Sequence, residues 1–244
     1  MTSNALSVAG FDSSGGAGVL ADIKTFEQHK VQGFGVCTAI TFQNDKEFDA
    51  VKWIPVDDII QQIAILNRRF SFDYIKIGLI ENLEILQQII TFLRANNPTC
   101  FILWDPILKA SAGFEFHKTV DKTLLKEVLS SVSLVTPNIP EFHFIKEKLN
   151  VSEQELGNSY SVFLKGGHSD NHKAIDFLIY NGKKEAIEGK ISTYSKHGTG
   201  CVLSAAIVSN LAQHRGLLES CKEAKKYTFN YIESSDGFLG FHLL

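Results

Sequence analysis

Nothing in the sequence reads as a staple, a membrane span or a polyanion-binding surface. The four cysteines, Cys37, Cys100, Cys201 and Cys221, are scattered with no CxxC pair, so neither a zinc site nor a disulfide framework is signalled. The eight histidines give no signal of a metal-ligating helix; His29, His117, His143 and His214 read as surface or loop residues. No stretch approaches the ~20 apolar residues that a bilayer span needs. The opening MTSNALSVAG has no basic region ahead of an apolar segment, so a cytoplasmic protein without a membrane partner is expected. Positive charge is not in excess either: 24 Lys+Arg stand against 27 Asp+Glu, a net charge of −3, so nucleic acid is not an expected partner. Repeats, low-complexity tracts and composition shifts are also lacking, and one domain over residues 1–244 is expected.

What the chain does have is 44% hydrophobic residues, enough for one substantial core. Apolar runs alternate with helical periodicity. Ala5 to Ala9 reads as a strand ending in a Ser/Gly loop, followed by Val19, Leu20, Ile23 and Phe26 at helical spacing. Strand signals recur at Phe34 to Phe42, Tyr74 to Ile77, Cys100 to Trp104, Ser133 to Thr136 and Val162 to Leu164. Between them, Asp57 to Phe70, Glu84 to Leu93, Lys122 to Leu129 and a segment starting at Pro140-Glu141 read as helices. Such alternation implies right-handed crossovers and a mostly parallel sheet with helices on both faces, where ligands gather at the carboxyl ends of the strands. Asn181-Gly182, flanked by Ala174 to Tyr180 and Glu185 to Ile191, signals a hairpin, so the C-terminal part is expected to be antiparallel. Gly200 to His214 and Leu217 to Glu233 read as the closing helices.

Chemistry is expected at the strand ends. Ser13-Ser14-Gly15-Gly16-Ala17-Gly18 departs from GxGxxG and lacks the lysine of a P-loop; it reads either as a ligand-contacting loop or as a tight turn. Lys196-His197-Gly198-Thr199-Gly200-Cys201 is the stronger signal, because it opens a long helix of small residues. A helix N-terminus carries about half a positive charge and unpaired N–H groups, and glycines let a phosphoryl group approach. The same field would favour a thiolate at Cys201, against the alternative of an inert buried thiol. Asp105-Pro106, Thr136 to Glu141 and Lys165-Gly166-Gly167-His168 follow predicted strands. Asp105, Asn138 and Glu141 are suitable oxygen types for magnesium, and Lys165 for a phosphate. Each also has a plain reading, as a strand stop, an N-cap or a turn. Gln43-Asn44 offers amide donors and acceptors suited to a heterocycle edge. Asp22 reads equally as a ligand contact or as a helical carboxylate paired to a nearby lysine, and Cys37, Cys100 and Cys221 as small core residues.

Taken in order, SVAGFDSSGGAGVLADIKTF, TAITFQN, KIGLI, WDPILKASAG, TPNIPE, LKGGH and HGTGCVLSAAI resemble the hydroxymethylpyrimidine and phosphomethylpyrimidine kinases of the ribokinase superfamily, nearly end to end. The resemblance implies a ribokinase-like three-layer α/β/α fold and a homodimer. It implies use of ATP and Mg2+ to phosphorylate 4-amino-5-hydroxymethyl-2-methylpyrimidine and then its monophosphate, in thiamine biosynthesis. It places Gln43 on the pyrimidine edge, with Gly10, Ala17, Asp22, Thr41 and Leu79 around it. Gly198, Thr199 and Gly200 become the anion hole, Cys201 the catalytic base, Asp105, Asn138 and Glu141 the magnesium set, and Lys165 the contact to the nucleotide phosphates.

Departures from the family pattern are Phe11 and Ser13 beside Asp12, the order Lys109-Ala110-Ser111, and the tail after Glu233. The segment from Glu141 to Lys165 is shorter than usual by about one helix, taken as ~11 residues. Two other functions compete. A cysteine-type pyridoxal kinase shares the scaffold, but such enzymes resemble this chain with an additional cysteine where Lys109-Ala110-Ser111 stands. A non-catalytic pyrimidine-binding protein would not need the phosphate machinery.

Overall fold

The computed structural model describes residues 3–107, 120–166 and 174–243. The expected Lys109-Ala110-Ser111 stretch, His117, Gly167 and His168 lie outside the described residues. The elements are, in chain order, β1 (Asn4–Asp12), α1 (Gly18–Gln28), β2 (Gln32–Gln43), β3 (Phe48–Trp53), α2 (Val56–Asn67), β4 (Tyr74–Ile77), α3 (Leu83–Asn96), β5 (Phe101–Trp104), α4 (Lys122–Ser131), β6 (Leu134–Val135), α5 (Ile139–Leu149), α6 (Glu153–Ser159), β7 (Val162–Leu164), β8 (Ala174–Tyr180), β9 (Lys183–Gly189), α7 (Thr199–Ala212) and α8 (Leu217–Glu233).

The strands form one nine-stranded sheet in the order β3-β2-β1-β4-β5-β6-β7-β8-β9. Pairings from β2 through β7 are parallel, and β3, β8 and β9 add antiparallel edges. The hairpin at Asn181-Gly182 has φ of +53° and +70°, the left-handed pair that matches strand twist. Two elements depart from the sequence expectation. β3 makes the N-terminal edge antiparallel too, and α6 inserts a short helix between α5 and β7.

Strand alternation assigns the two faces. Leu6 and Val8 of β1, Ile75 and Ile77 of β4, and Ile102 and Trp104 of β5 pack with α2 to α5. Ala5, Leu103, Leu134 and Phe163 pack with α1, α7 and α8 on the other side. α7 is buried all round from Cys201 to Ala212, as expected of a helix apolar on every face. His29, expected on the surface, is instead buried at the end of α1, with Nδ1 2.8 Å from the Thr25 carbonyl and its ring 4.4 Å from that of Tyr227.

The sheet order reverses at β1, whose neighbours β2 and β4 are each reached by a crossover on a different side. The carboxyl ends of β1 and β4 therefore open a crevice, the place where α/β sheets bind ligands.

Candidate active site

The first glycine loop is built on one carboxylate. Asp12, the last residue of β1 and 1% exposed, accepts from the Ser14 N–H and hydroxyl and from the Ala17 N–H, each at 2.9 Å. Burial alone would raise its pKa; His197, Ser14 and Ala17 donors outweigh that and hold it below the usual carboxylate range. Gly18 then starts α1 at φ +60°, where a Cβ would fall 2.1 Å from the Gly10 carbonyl oxygen, so the turn needs glycine.

The second loop opens α7. Gly198 is its N-cap at φ +75°, and a Cβ there would lie 1.9 Å from the Gly16 carbonyl oxygen. The two glycine loops thus touch through their backbones. No side chain caps α7, so its first N–H groups remain for a ligand. Cys201, at the first turn, is 6% exposed. Here the expected thiolate is corrected. Burial pushes the thiol up; Lys76 and a Gly18 hydrogen bond pull it down, but Asp22 and Asp105 push it further up, and the net direction is raised.

The third group lies at the ends of β5, β6 and β7. Asp105 accepts from Lys165 Nζ at 2.7 Å, Thr136 Oγ1 at 3.1 Å and Ser204 Oγ at 3.2 Å. Burial alone would lower the Lys165 pKa, but Asp105 and Glu141 outweigh it and keep the ammonium charged. Asn138 and Glu141 form a capping box on α5, each side chain bonded to the other's backbone N–H at 2.9 and 2.8 Å. The N-cap reading of Asn138 is therefore realised, with its side chain still on the cavity wall. Among the described residues no three His, Cys, Asp or Glu side chains are grouped to hold a metal directly. Oxygen donors on one wall, already hydrogen-bonded, fit magnesium held through water.

These groups line one cleft of about 790 Å³. Gly10, Ala17, Thr41, Gln43 and Leu79 stand on its walls, as do Gly198, Thr199, Gly200, Cys201, Asp105, Asn138, Glu141 and Lys165. Thr41 Oγ1 donates to the Phe11 carbonyl at 2.9 Å, which ties the end of β2 to the end of β1. Asp22, expected in the pyrimidine pocket, is not on the cleft wall. It is fully buried between α1 and β4, accepting from Lys76 Nζ at 2.7 Å through both oxygens and from Ser7 Oγ at 2.5 Å. The alternation that turns Ile75 and Ile77 to one face turns Lys76 to the other, against α1. Asn44 is corrected as well: its side-chain oxygen accepts from the Lys46 and Glu47 N–H groups of its own turn.

Sequence reasoning left Lys76, His197 and Asp176 without a role. Asp176 on β8 accepts from the Gly166 N–H at 2.9 Å and from Lys225 at 2.5 Å, and it lines the far end of the cleft with Lys190, Lys222 and Lys226. The readable signal for Asp176 was an acid inside an otherwise apolar strand; for Lys76, a lysine between isoleucines. Their partners lie too far along the chain for spacing to reveal them.

The sheet, the uncapped N-terminus of α7 and the acid–lysine wall facing it define a ribokinase-like kinase fold. A family model described as phosphomethylpyrimidine kinase matches residues 12–240. The hydroxymethylpyrimidine/phosphomethylpyrimidine kinase of Aquifex aeolicus is 36% identical over 95% of this chain and 94% of its own length. The crystal structure of phosphomethylpyrimidine kinase from Clostridium difficile 630 superposes with a TM-score of 0.77 at 30% identity, over 94% of this chain and 99% of that one. Pyridoxal kinase of Bacillus subtilis in an ADP complex superposes with a TM-score of 0.81 at 25% identity, over 96% and 93%. The chain belongs to the phosphomethylpyrimidine kinase family.

Proposed function

We propose that this chain transfers the γ-phosphoryl group of ATP to hydroxymethylpyrimidine and then to its monophosphate. The observation that carries the reading is a single cleft with the glycine loop and Gln43 on one side, Asp105 and Lys165 on another, and the open end of α7 between them. Phosphoryl transfer asks mainly for in-line positioning and charge neutralisation, and such a cleft supplies both. Gln43 pairs with the pyrimidine edge, while Gly10, Ala17, Thr41 and Leu79 shape the ring pocket. The amides from Gly198 to Cys201 hold the group in transfer, and Lys165 offsets the nucleotide phosphates. The cationic end formed by Lys190, Lys222, Lys225 and Lys226 receives the rest of the nucleotide. Asp105, Asn138 and Glu141 would hold magnesium through water, and the ion would supply further neutralisation of the phosphates. Cys201 meets the acceptor hydroxyl as a thiol, so the acceptor oxygen bonds phosphorus as the bond from phosphorus to the leaving ADP oxygen breaks, and the hydroxyl proton passes to an oxygen of the transferred phosphoryl group.

The same reading includes a homodimer in the cytoplasm. Ile40 and Phe42, 38% and 52% exposed, alternate on one face of β2 and offer an apolar contact for a second copy. The cysteines are free, as a reducing compartment keeps them.

Mass-spectrometric product analysis with magnesium ATP, offering hydroxymethylpyrimidine, its monophosphate and pyridoxal at equal concentration, tests the reading. Pyrimidine mono- and diphosphate are expected. Pyridoxal phosphate alone would replace the acceptor and leave the phosphate machinery as described, while no product would favour a binding protein. Cys201→Ala is expected to lower kcat more than pyrimidine affinity and Gln43→Ala to do the reverse; equal losses of both would refute that division of roles.

A further inference from the structure

The two glycine loops come from opposite ends of the chain, and no covalent link fixes the distance between them. Beside the backbone approach of Gly16 to Gly198 and a Gly18 hydrogen bond to Cys201, one side-chain pair joins them. His197 Nε2 lies 2.9 Å from Asp12 Oδ2 across a sequence separation of 185 residues. The Asp12 carboxylate is ionised, so it accepts and Nε2 carries the hydrogen. The pair is nearly sealed, with side chains 10% and 1% exposed.

Every hydrogen-bonding face of His197 except Nδ1 is engaged. Its backbone N–H donates to the Phe238 carbonyl at 2.8 Å, and its carbonyl accepts from the Tyr231 hydroxyl at 3.3 Å. The residue before it, Lys196, donates to the Ser235 carbonyl at 2.6 Å. His197 is thus pinned by the tail, by α8 and by the first glycine loop, and the next residue is Gly198, where the anion hole begins. On the other side, the same Asp12 carboxylate shapes the turn that presents Ala17 and Gly18 to the cleft.

We propose that Asp12 and His197 are positioning residues which keep the anion hole of α7 in register with the acceptor-binding glycine loop. The inference deepens the reading in the preceding subsection and rests on it. Neither residue needs to touch the transferring group. Their work is to set the distance between the acceptor oxygen and the amides that receive the phosphoryl group, and a misplacement of ~1 Å there costs about 10²-fold in rate.

The test is steady-state kinetics on His197→Ala, His197→Gln, Asp12→Ala and the Asp12→Ala/His197→Ala double variant, with a thermal melt of each. Glutamine can present an N–H near the position of Nε2. His197→Ala is expected to lower kcat for hydroxymethylpyrimidine by about 10- to 100-fold with KM within about threefold, as loss of transition-state alignment requires. His197→Gln is expected to recover most of that loss. The double variant is expected to be no slower than its slower parent, because both changes break one contact. A KM effect with kcat unchanged, a glutamine variant as slow as alanine, or losses that multiply would overturn the proposal. If His197→Ala does not fold, the glutamine variant decides: near-wild-type kcat supports the link, and a folded but slow protein overturns it. If the wild type phosphorylates pyridoxal and no pyrimidine, the acceptor assignment fails, and the same comparisons with pyridoxal test the link on its own.

Discussion

Replacing Lys76 with methionine would remove the cation paired with Asp22, a carboxylate that has no access to water. Lys76 and Asp22 are each 0% exposed, joined at 2.7 Å through both carboxylate oxygens. Burial alone would lower the Lys76 pKa, but Asp22 outweighs it, with Asp105 adding to the effect, so the ammonium is held charged. In the methionine variant Asp22 keeps only the Ser7 hydroxyl as a hydrogen-bond donor. Burial already raises the Asp22 pKa with Lys76 in place, so without the lysine the carboxyl takes up a proton, and breaking a buried pair in this way costs about 3–5 kcal/mol, a large part of the ~5–15 kcal/mol that holds a native protein together. In urea, with a slope near the upper end of ~1–3 kcal/mol per molar, the midpoint would fall by about 1–2 M. The assay is equilibrium unfolding followed by tryptophan fluorescence, since Trp104 is buried in the core beside β4. The Asp22→Asn/Lys76→Met double variant removes both charges and is expected to regain most of the loss. A single variant destabilised by less than about 1 kcal/mol, or a double variant no more stable than the single, would refute the account of Asp22 as a charge that needs its partner.

Gly198→Ala is expected to cut turnover by about 10²-fold, because the Cβ would sit 1.9 Å from the Gly16 carbonyl oxygen and the loops must part to admit it; wild-type kcat in the variant would contradict this. Near the C-terminus, His242 lies against Tyr227 and Thr25, and burial, with Lys24 and His29 adding, lowers its pKa to about 4. A histidine depressed in the folded state contributes stability that is complete above its unfolded pKa and is lost as pH falls through its folded one. Thermal melts of the wild type are therefore expected to drop between pH 6.5 and about 4, and His242→Gln should show a flatter slope there; parallel slopes would count against it.

Local patterns made much of the architecture legible. β4, β7, β8 and α8 fall on the residues that periodicity and turn signals mark out. β3 escaped because FDAVKW has no buried position and so no apolar face to read. α6 escaped because seven residues including Gly157 are too few for a periodic signal, although its Ser152–Glu155 capping box was there to be seen. At the site, the loops and strand ends were readable as places, since glycines and strand stops are local features. Which polar groups pair was not. Asp22 with Lys76 and Asp12 with His197 are joined only by folding, and the burial that raises the Cys201 thiol comes from α7 being packed on all sides.

The contact between Asp12 and His197 also bears on when the site comes into being. The proposed mechanism needs β1 and the start of α7 side by side, and the start of α7 in turn leans on the Phe238 carbonyl. Contacts so distant in sequence close late, after the nearer pairings have formed. Refolding followed by Trp104 fluorescence is expected to finish before catalytic activity returns. The interval between the two would time the docking of the glycine loops, and enzymatic activity would then report that the whole sheet, from first strand to closing helices, has assembled.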